Sequence, residues 1–122
     1  MKSISSKKPR KQRKLRFNAP LHRRHKMVAS HLSHELGEKY HRRSLPVRKG
    51  DTIRVMRGGF KDHVGEIMRV DLKTLKVYVE GITIKKADGT DIEKPVDPSN
   101  IMITELYMED KERRNMLERK IE

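Results

Sequence analysis

The sequence predicts a mainly β protein: a small antiparallel barrel with a basic N-terminal extension, short N-terminal helices and a C-terminal helix. Three observations lead there. Five short stretches between residues 52 and 106 place apolar side chains at about every second position. Turn residues join them, with no long helical pattern between. The excess positive charge lies ahead of them all.

Only 34% of the 122 residues are hydrophobic, so the apolar core must be small. The longest apolar runs, such as Ile101-Met102-Ile103, span three residues, far short of the roughly 20 that cross a bilayer. Met1-Lys2-Ser3-Ile4-Ser5-Ser6 leads into lysines rather than an apolar segment, which argues against a secretory signal. A soluble, cytoplasmic protein is expected. The absence of cysteine excludes disulfides and thiolate chemistry.

The net charge of +13 is unevenly placed. Residues 1–50 hold 16 Lys and Arg against Glu35 and Glu38, giving +14, whereas residues 51–122 hold 14 against 15 acids, giving −1. From Met1 to Lys26 there are 11 bases and no acid. Residues 1–17 are therefore read as an arm that repels itself, disordered when free and ordered by a polyanion. A targeting signal accounts for Lys7 to Lys14 but not for Arg23, Arg24, Lys26, Arg42 and Arg43. A membrane-surface helix needs a broader apolar face than Ile4, Leu15 and Phe17 provide. Nucleic acid, bound through its phosphates, fits best.

In chain order, residues 18–45 read as short helices and a linker. Asn18 is placed to cap a helix with Pro20 in its first turn; Leu21, Val28 and Leu32 then share one face, and Arg23, Arg24 and Lys26 the other. Ser33 starts a second helix through Tyr40, with Glu35 and Lys39 complementing its dipole and Gly37 weakening it. Residues 46–107 form the barrel. Ile53 and Val55, then Leu75, Val77 and Val79, then Ile82 and Ile84, then Ile101 and Ile103 alternate; Ile67 and Val70 are three apart, which requires a bulge near Met68. With Leu106 these residues make the inward set, a number that suits an SH3-like barrel. Asp88-Gly89 marks a hairpin turn, and Pro95 and Pro98 an edge or loop. In residues 108–122, Asp110 caps a charged helix that docks weakly through Leu117 and Ile121.

The loop M-R-G-G-F-K-D-H, Met56 to His63, joins the first two barrel strands. Gly58 and Gly59 permit positive φ and close approach of a phosphate. Phe60 either caps the barrel end or stacks on an unpaired base while Lys61, Arg57 and His63 meet the backbone. The pairs His22/His25 and His31/His34 sit at helical spacing, but without cysteines and beside Arg23 and Arg24 they argue for phosphate or solvent rather than zinc. Nothing resembles a nucleophile elbow or paired catalytic carboxylates, so neither enzyme activity nor a cofactor is expected.

The candidate nucleic-acid contacts, which a family resemblance assigns to RNA, are Lys7, Lys8, Arg10, Lys11, Arg13, Lys14 and Arg16 in the arm. His22, Arg23, Arg24, His25, Lys26, Arg42, Arg43, Arg48 and Lys49 follow it. Arg57, Gly58, Gly59, Phe60, Lys61 and His63 belong to the loop.

R-K-G-D-T-I-R-V-M-R-G-G-F-K-D-H-V-G-E-I-M-R-V-D, Arg48 to Asp71, resembles the KOW motif, with Gly65 at its hallmark glycine and Gly50-Asp51 opening it. H-L-S-H-E-L-G-E-K-Y-H-R-R-S-L-P before it, and D-P-S-N-I-M-I-T-E-L and K-E-R-R-N-M-L-E-R-K after it, are similar to the archaeal and eukaryotic family of universal large-subunit ribosomal protein twenty-four, twenty-six in eukaryotes. Asp62 stands where the motif usually has glycine, and Gly37 where the family's helix usually has a longer side chain. The resemblance implies an SH3-like KOW barrel bound to large-subunit rRNA near its 5′ end, at the outer rim of the polypeptide exit tunnel, acting early in assembly. Its implied partners are rRNA, neighbouring ribosomal proteins, and the nascent chain or exit-site factors, with no membrane insertion and no homo-oligomer. The KOW segment taken alone is shared with transcription elongation components, and the charge alone with chromatin-like DNA binders.

Overall fold

The computed structural model describes residues 5–121. The described elements are α1 (Pro9–Phe17), α2 (Leu21–Met27), β1 (Ala29–Leu32), α3 (His34–Tyr40), β2 (Ser44–Pro46), β3 (Thr52–Val55), β4 (Val64–Asp71), β5 (Lys76–Val79), β6 (Thr83–Lys85), β7 (Asp91–Glu93), a 3-10 turn (Pro98–Asn100), β8 (Ile101–Glu105) and α4 (Lys111–Ile121). Six strands form one sheet in the order β2-β1-β8-β3-β4-β5, while β6 and β7 pair as a separate hairpin.

The expected antiparallel ladders β3–β4, β4–β5 and β3–β8 are present, and β4 slips register between Ile67 and Arg69, where the bulge was required. Two features differ from the sequence expectation. The sheet is mixed, because β1 runs parallel to β8 through His31↔Met102 and Leu32↔Ile103. It is also open: β2 and β5 are its two edges, and on its far side β5 meets Val96 through a bridge at Val77. Residues 18–46 supply β1 and β2 as well as helices, since three- and four-residue strands, one ending in proline, are too short to show a period of two.

Nine of the expected inward residues are buried: Ile53, Val55, Ile67, Leu75, Val77, Val79, Ile82, Ile101 and Ile103. Val70 and Leu106 pack on the margin of this cluster. Ile84 does not belong to it. It lies on the β6–β7 hairpin opposite Ile92, both exposed, because that hairpin leaves the sheet. The hairpin turn itself is as expected, Lys86 N–H donating to the Thr90 carbonyl across Gly89 at φ 91°.

Ser33 caps α3 through its hydroxyl, which accepts from the Leu36 N–H at 3.4 Å. Gly37 is explained at the other end: a Cβ there would lie 3.1 Å from the Arg42 carbonyl oxygen, where the chain turns back through His41 at φ 53°. Asn18 does not cap the next helix. It ends α1, donating its N–H to the Lys14 carbonyl, and Pro20 precedes α2. Leu21 consequently points outward at 62% exposure, and Val28 and Leu32 reach the core from beyond the helix.

The C-terminal helix is docked more firmly than expected. Leu117 is fully buried, and Arg113, also buried, reaches the carboxylate of Asp51 beneath β3. The side chain of Ile121, expected to join Leu117, lies outside the described part of the helix. Asp110 caps α4 as expected, accepting from the Glu112 N–H at 3.0 Å.

Candidate nucleic-acid interface

Lys7, Lys8, Arg10, Lys11, Arg13, Lys14 and Arg16 are all exposed, and α1, which carries the last five, buries no residue. Pro9 opens it and good helix formers fill it, a start signal that the charge count overshadowed. Positions 10, 13 and 14 share one face by their spacing of three and four, giving a cationic stripe along the helix.

On α2, His22, Arg23 and Lys26 line a shallow groove with Met27. A second groove runs between α2, the β2–β3 turn and β4, bringing His25, Lys49, Arg48 and Arg69 around Val28, Val47, Val70 and Leu72. His31 and His34 are not a helical pair, since His31 is on β1 while His34 opens α3 and contacts Glu38 at 2.9 Å.

Two expected contacts are committed within the protein. Arg24 donates to four carbonyls, those of Phe17 (2.5 Å), Ala19 (2.8 Å), Leu72 (3.0 Å) and Lys73 (2.5 Å), buckling both helices to the β4–β5 turn. Arg48 lies over the Tyr107 ring, 4.4 Å from its centroid, and pairs with Asp110 at 2.6 Å. Arg43 and Lys49 are exposed, and Arg42 is half-buried, its Nε enclosed without an acceptor among the described residues.

The loop after β3 divides its residues. Arg57 and Lys61 face outward, and a Cβ at Gly58 or Gly59 would meet nothing within 4 Å, so both backbones are open to approach. Phe60 turns inward to the end of the core, beneath the Lys94 ammonium at 5.3 Å from its centroid. That is the capping role rather than the free stacking face. His63 also turns in, its Nε2 lying 2.9 Å from the Glu80 carbonyl and therefore in the position of a donor.

The same histidine accounts for the glycines around it. A Cβ at Gly65 would lie 2.8 Å from the Glu80 oxygen and 3.2 Å from His63 Nε2, and one at Gly81 would lie 2.8 Å from the His63 ring. Gly65 is thus fixed by close packing of β4 on the end of β5. Asp62 has φ 71°, a left-handed conformation that explains glycine as the motif's usual residue; it is held by Arg54 at 2.6 Å, whose hydrogen bond keeps the carboxyl below its ordinary pKa.

Sequence reasoning missed Arg69 and Lys94, which sit singly rather than in a run, and both are engaged within the protein: Arg69 lies 3.8 Å from the Tyr78 ring centroid and pairs with Glu93 at 3.1 Å, and Lys94 covers Phe60. It also missed the bond between Asp51 and Arg113, 62 residues apart, which no local pattern announces.

Exposed bases on α1 and α2 of a sheet-built body define the class: a cationic scaffold protein. Residues 6–120 match the family model that describes eukaryotic ribosomal proteins L26 together with their archaeal L24-type counterparts. The chain belongs to that ribosomal-protein family, which is structural rather than enzymatic. Among its relatives is a protein of Methanosphaera stadtmanae named "Large ribosomal subunit protein uL24", 47% identical over 116 residues that cover 95% of this chain and 99% of that one. A protein of Korarchaeum cryptofilum with the same name is 47% identical over 117 residues, covering 96% of this chain and 89% of the relative.

Proposed function

We propose that the protein, a structural constituent of the large ribosomal subunit in the cytoplasm, binds large-subunit rRNA directly through α1, α2, the adjoining groove and the Arg57–Lys61 side of the β3–β4 loop. One observation carries this reading: the seven bases from Lys7 to Arg16 are all exposed, in a segment with no acid of its own. Such an array gains affinity by releasing condensed counterions from phosphates. It reads folded RNA by shape and backbone more than by sequence.

The family resemblance adds the finer placement: a partly open KOW barrel of β3, β4, β5 and β8, seated near the 5′ end of the rRNA at the outer rim of the exit tunnel, and incorporated early in assembly. Neighbouring ribosomal proteins, the nascent chain and exit-site factors are the accompanying partners. Since α1 has nine residues and no buried side chain, it is too short to be stable on its own, isolated helices below about 12–15 residues being marginal. RNA binding then orders α1 ahead of its Phe17 end, which Arg24 holds, counterion release offsetting the entropy cost.

The test is binding of the purified chain to deproteinised large-subunit rRNA across a salt series. With ~6 to 10 phosphate contacts, affinity falls about 10³- to 10⁵-fold between 50 and 200 mM salt on the duplex calibration. A flat response, or preference for duplex DNA in competition, removes the proposal. Crosslink mapping onto the rRNA tests the 5′ placement, and late appearance of the protein in assembly intermediates contradicts an early role.

A further inference from the structure

Phe17 is the most exposed large apolar side chain among the described residues, at 69%. It contributes nothing to the core, and α1, which it ends, buries nothing. An aromatic ring left in water forgoes the gain of burial, and the protein has only two phenylalanines, the other packed on the core.

Its setting indicates what covers it. Phe17 follows Arg10 by seven residues, Arg13 by four and Lys14 by three, so by helical spacing the ring sits at the end of the cationic stripe. Its position is also fixed. The Arg24 guanidinium donates to the Phe17 carbonyl at 2.5 Å while holding the Leu72 and Lys73 carbonyls at the β4–β5 turn. The end of α1 is thereby tied to the sheet.

We infer that Phe17 is a stacking platform for one unpaired nucleobase of the RNA whose phosphates follow the Arg10–Arg13–Lys14 stripe. This rests on the RNA-binding reading and adds to it a site that phosphate contacts alone do not require. Cations carry the strand along the helix; the π-face takes a base where the strand leaves it. A protein pocket is the competing occupant, but it would have to bury the ring beside an uncompensated row of bases, whereas RNA brings its own countercharge. Exposed aromatics serve single strands in this way because every base has a π-face.

The experiment uses the full chain and deproteinised large-subunit rRNA, with zero-length ultraviolet crosslinking and binding measured at several salt concentrations. The inference expects a crosslink between Phe17 and an unpaired nucleotide. Phe17→Leu, which stays apolar but loses the π-face, should weaken binding about 5- to 150-fold at every salt concentration without changing the salt slope. Phe17→Tyr should restore it. Wild-type affinity for Phe17→Leu, a changed slope, or a Phe17 crosslink that goes only to a neighbouring protein in assembled subunits overturns the inference while leaving the phosphate-binding reading intact. Failure of the unaltered chain to bind rRNA overturns both.

Discussion

Arg113 grips Asp51 with two parallel hydrogen bonds of 2.5 and 2.6 Å, and both side chains are shut away from water. The carboxylate accepts as well from the Tyr107 N–H at 2.9 Å and the Arg48 N–H at 3.2 Å, and the guanidinium donates to the Pro46 and Tyr107 carbonyls at 3.2 Å. One buried pair therefore ties α4, the β2–β3 turn and the chain after β8 together. A forked, fully satisfied pair of this kind is position-defining, because each partner is costly to bury alone.

Arg113→Ala leaves the Asp51 carboxylate buried without its counterion, so the variant should lose about 3–5 kcal/mol in urea unfolding. Replacing the pair together, Asp51→Leu with Arg113→Leu, should cost distinctly less than Arg113→Ala. A loss below about 1 kcal/mol for Arg113→Ala, the range of a surface pair, would show that the pair does not anchor α4.

Gly65 and Gly59 should respond oppositely to alanine. At Gly65 the new methyl meets the Glu80 oxygen at 2.8 Å, backbone that cannot swing aside, and about 1–3 kcal/mol of stability should go. At Gly59 it enters open space without a left-handed φ, and reduced freedom of the unfolded chain should leave stability unchanged or raise it by up to about 1 kcal/mol. Thermal unfolding of the two variants checks the contrast.

Arg24 and Arg13 should separate folding from binding. Arg24→Gln removes bonds to the carbonyls that clip the end of α1 and α2 to the sheet, so amide exchange in residues 17–27 should quicken. Arg13→Gln should leave exchange unaltered and lower the salt slope of RNA binding by about 0.7–0.9, the share of one phosphate contact. Equal effects of both on the slope would place Arg24 on the RNA instead.

Three turn aspartates should make the fold sensitive to acid. The carboxyl of Asp62 is held below its ordinary value chiefly by the Arg54 hydrogen bond, that of Asp71 by Thr74, and that of Asp88 by the Thr90 N–H. A depressed folded-state pKa stabilises the protein above the unfolded value, near 3.8, and that contribution disappears as pH falls through the lowered one. Carboxyl NMR titration should place all three below the unfolded value, and Asp71→Asn should reduce the loss of stability between neutral and acid pH. Unshifted titrations would contradict it.

Much of this architecture was legible because its signals are local. The alternating residues of β3, β5 and β8 announce their faces, the 67/70 spacing announces the bulge, and Ser33 and Asp110 announce helix starts. What escaped depends on distant parts of the chain. The strands β1 and β2 exist because β8 offers an edge, not because Ala29–Leu32 favours an extended form. Ile84 alternates with Ile82, yet the hairpin carries it outward. At the interface the exposed bases of residues 7–16 were evident from charge, whereas the inward turn of Phe60 and His63 and the capture of Arg24 and Arg48 needed coordinates. Charge density shows where cations are; it does not show which ones the fold has already consumed.

The place of β8, between β1 and β3 in the middle of the sheet, governs the order in which the protein can be built. During synthesis the β3–β4–β5 meander can fold as soon as it emerges, but β1 and β2 remain an orphan ribbon until residues 101–105 appear and slot in as the keystone. A chain stopped before Ile101 lacks the strand that joins β1 to β3, leaving Arg24 and the β2–β3 turn as its ties between the two parts. The body's sheet is complete only with that keystone, which lies about 85 residues after the cationic arm in the chain.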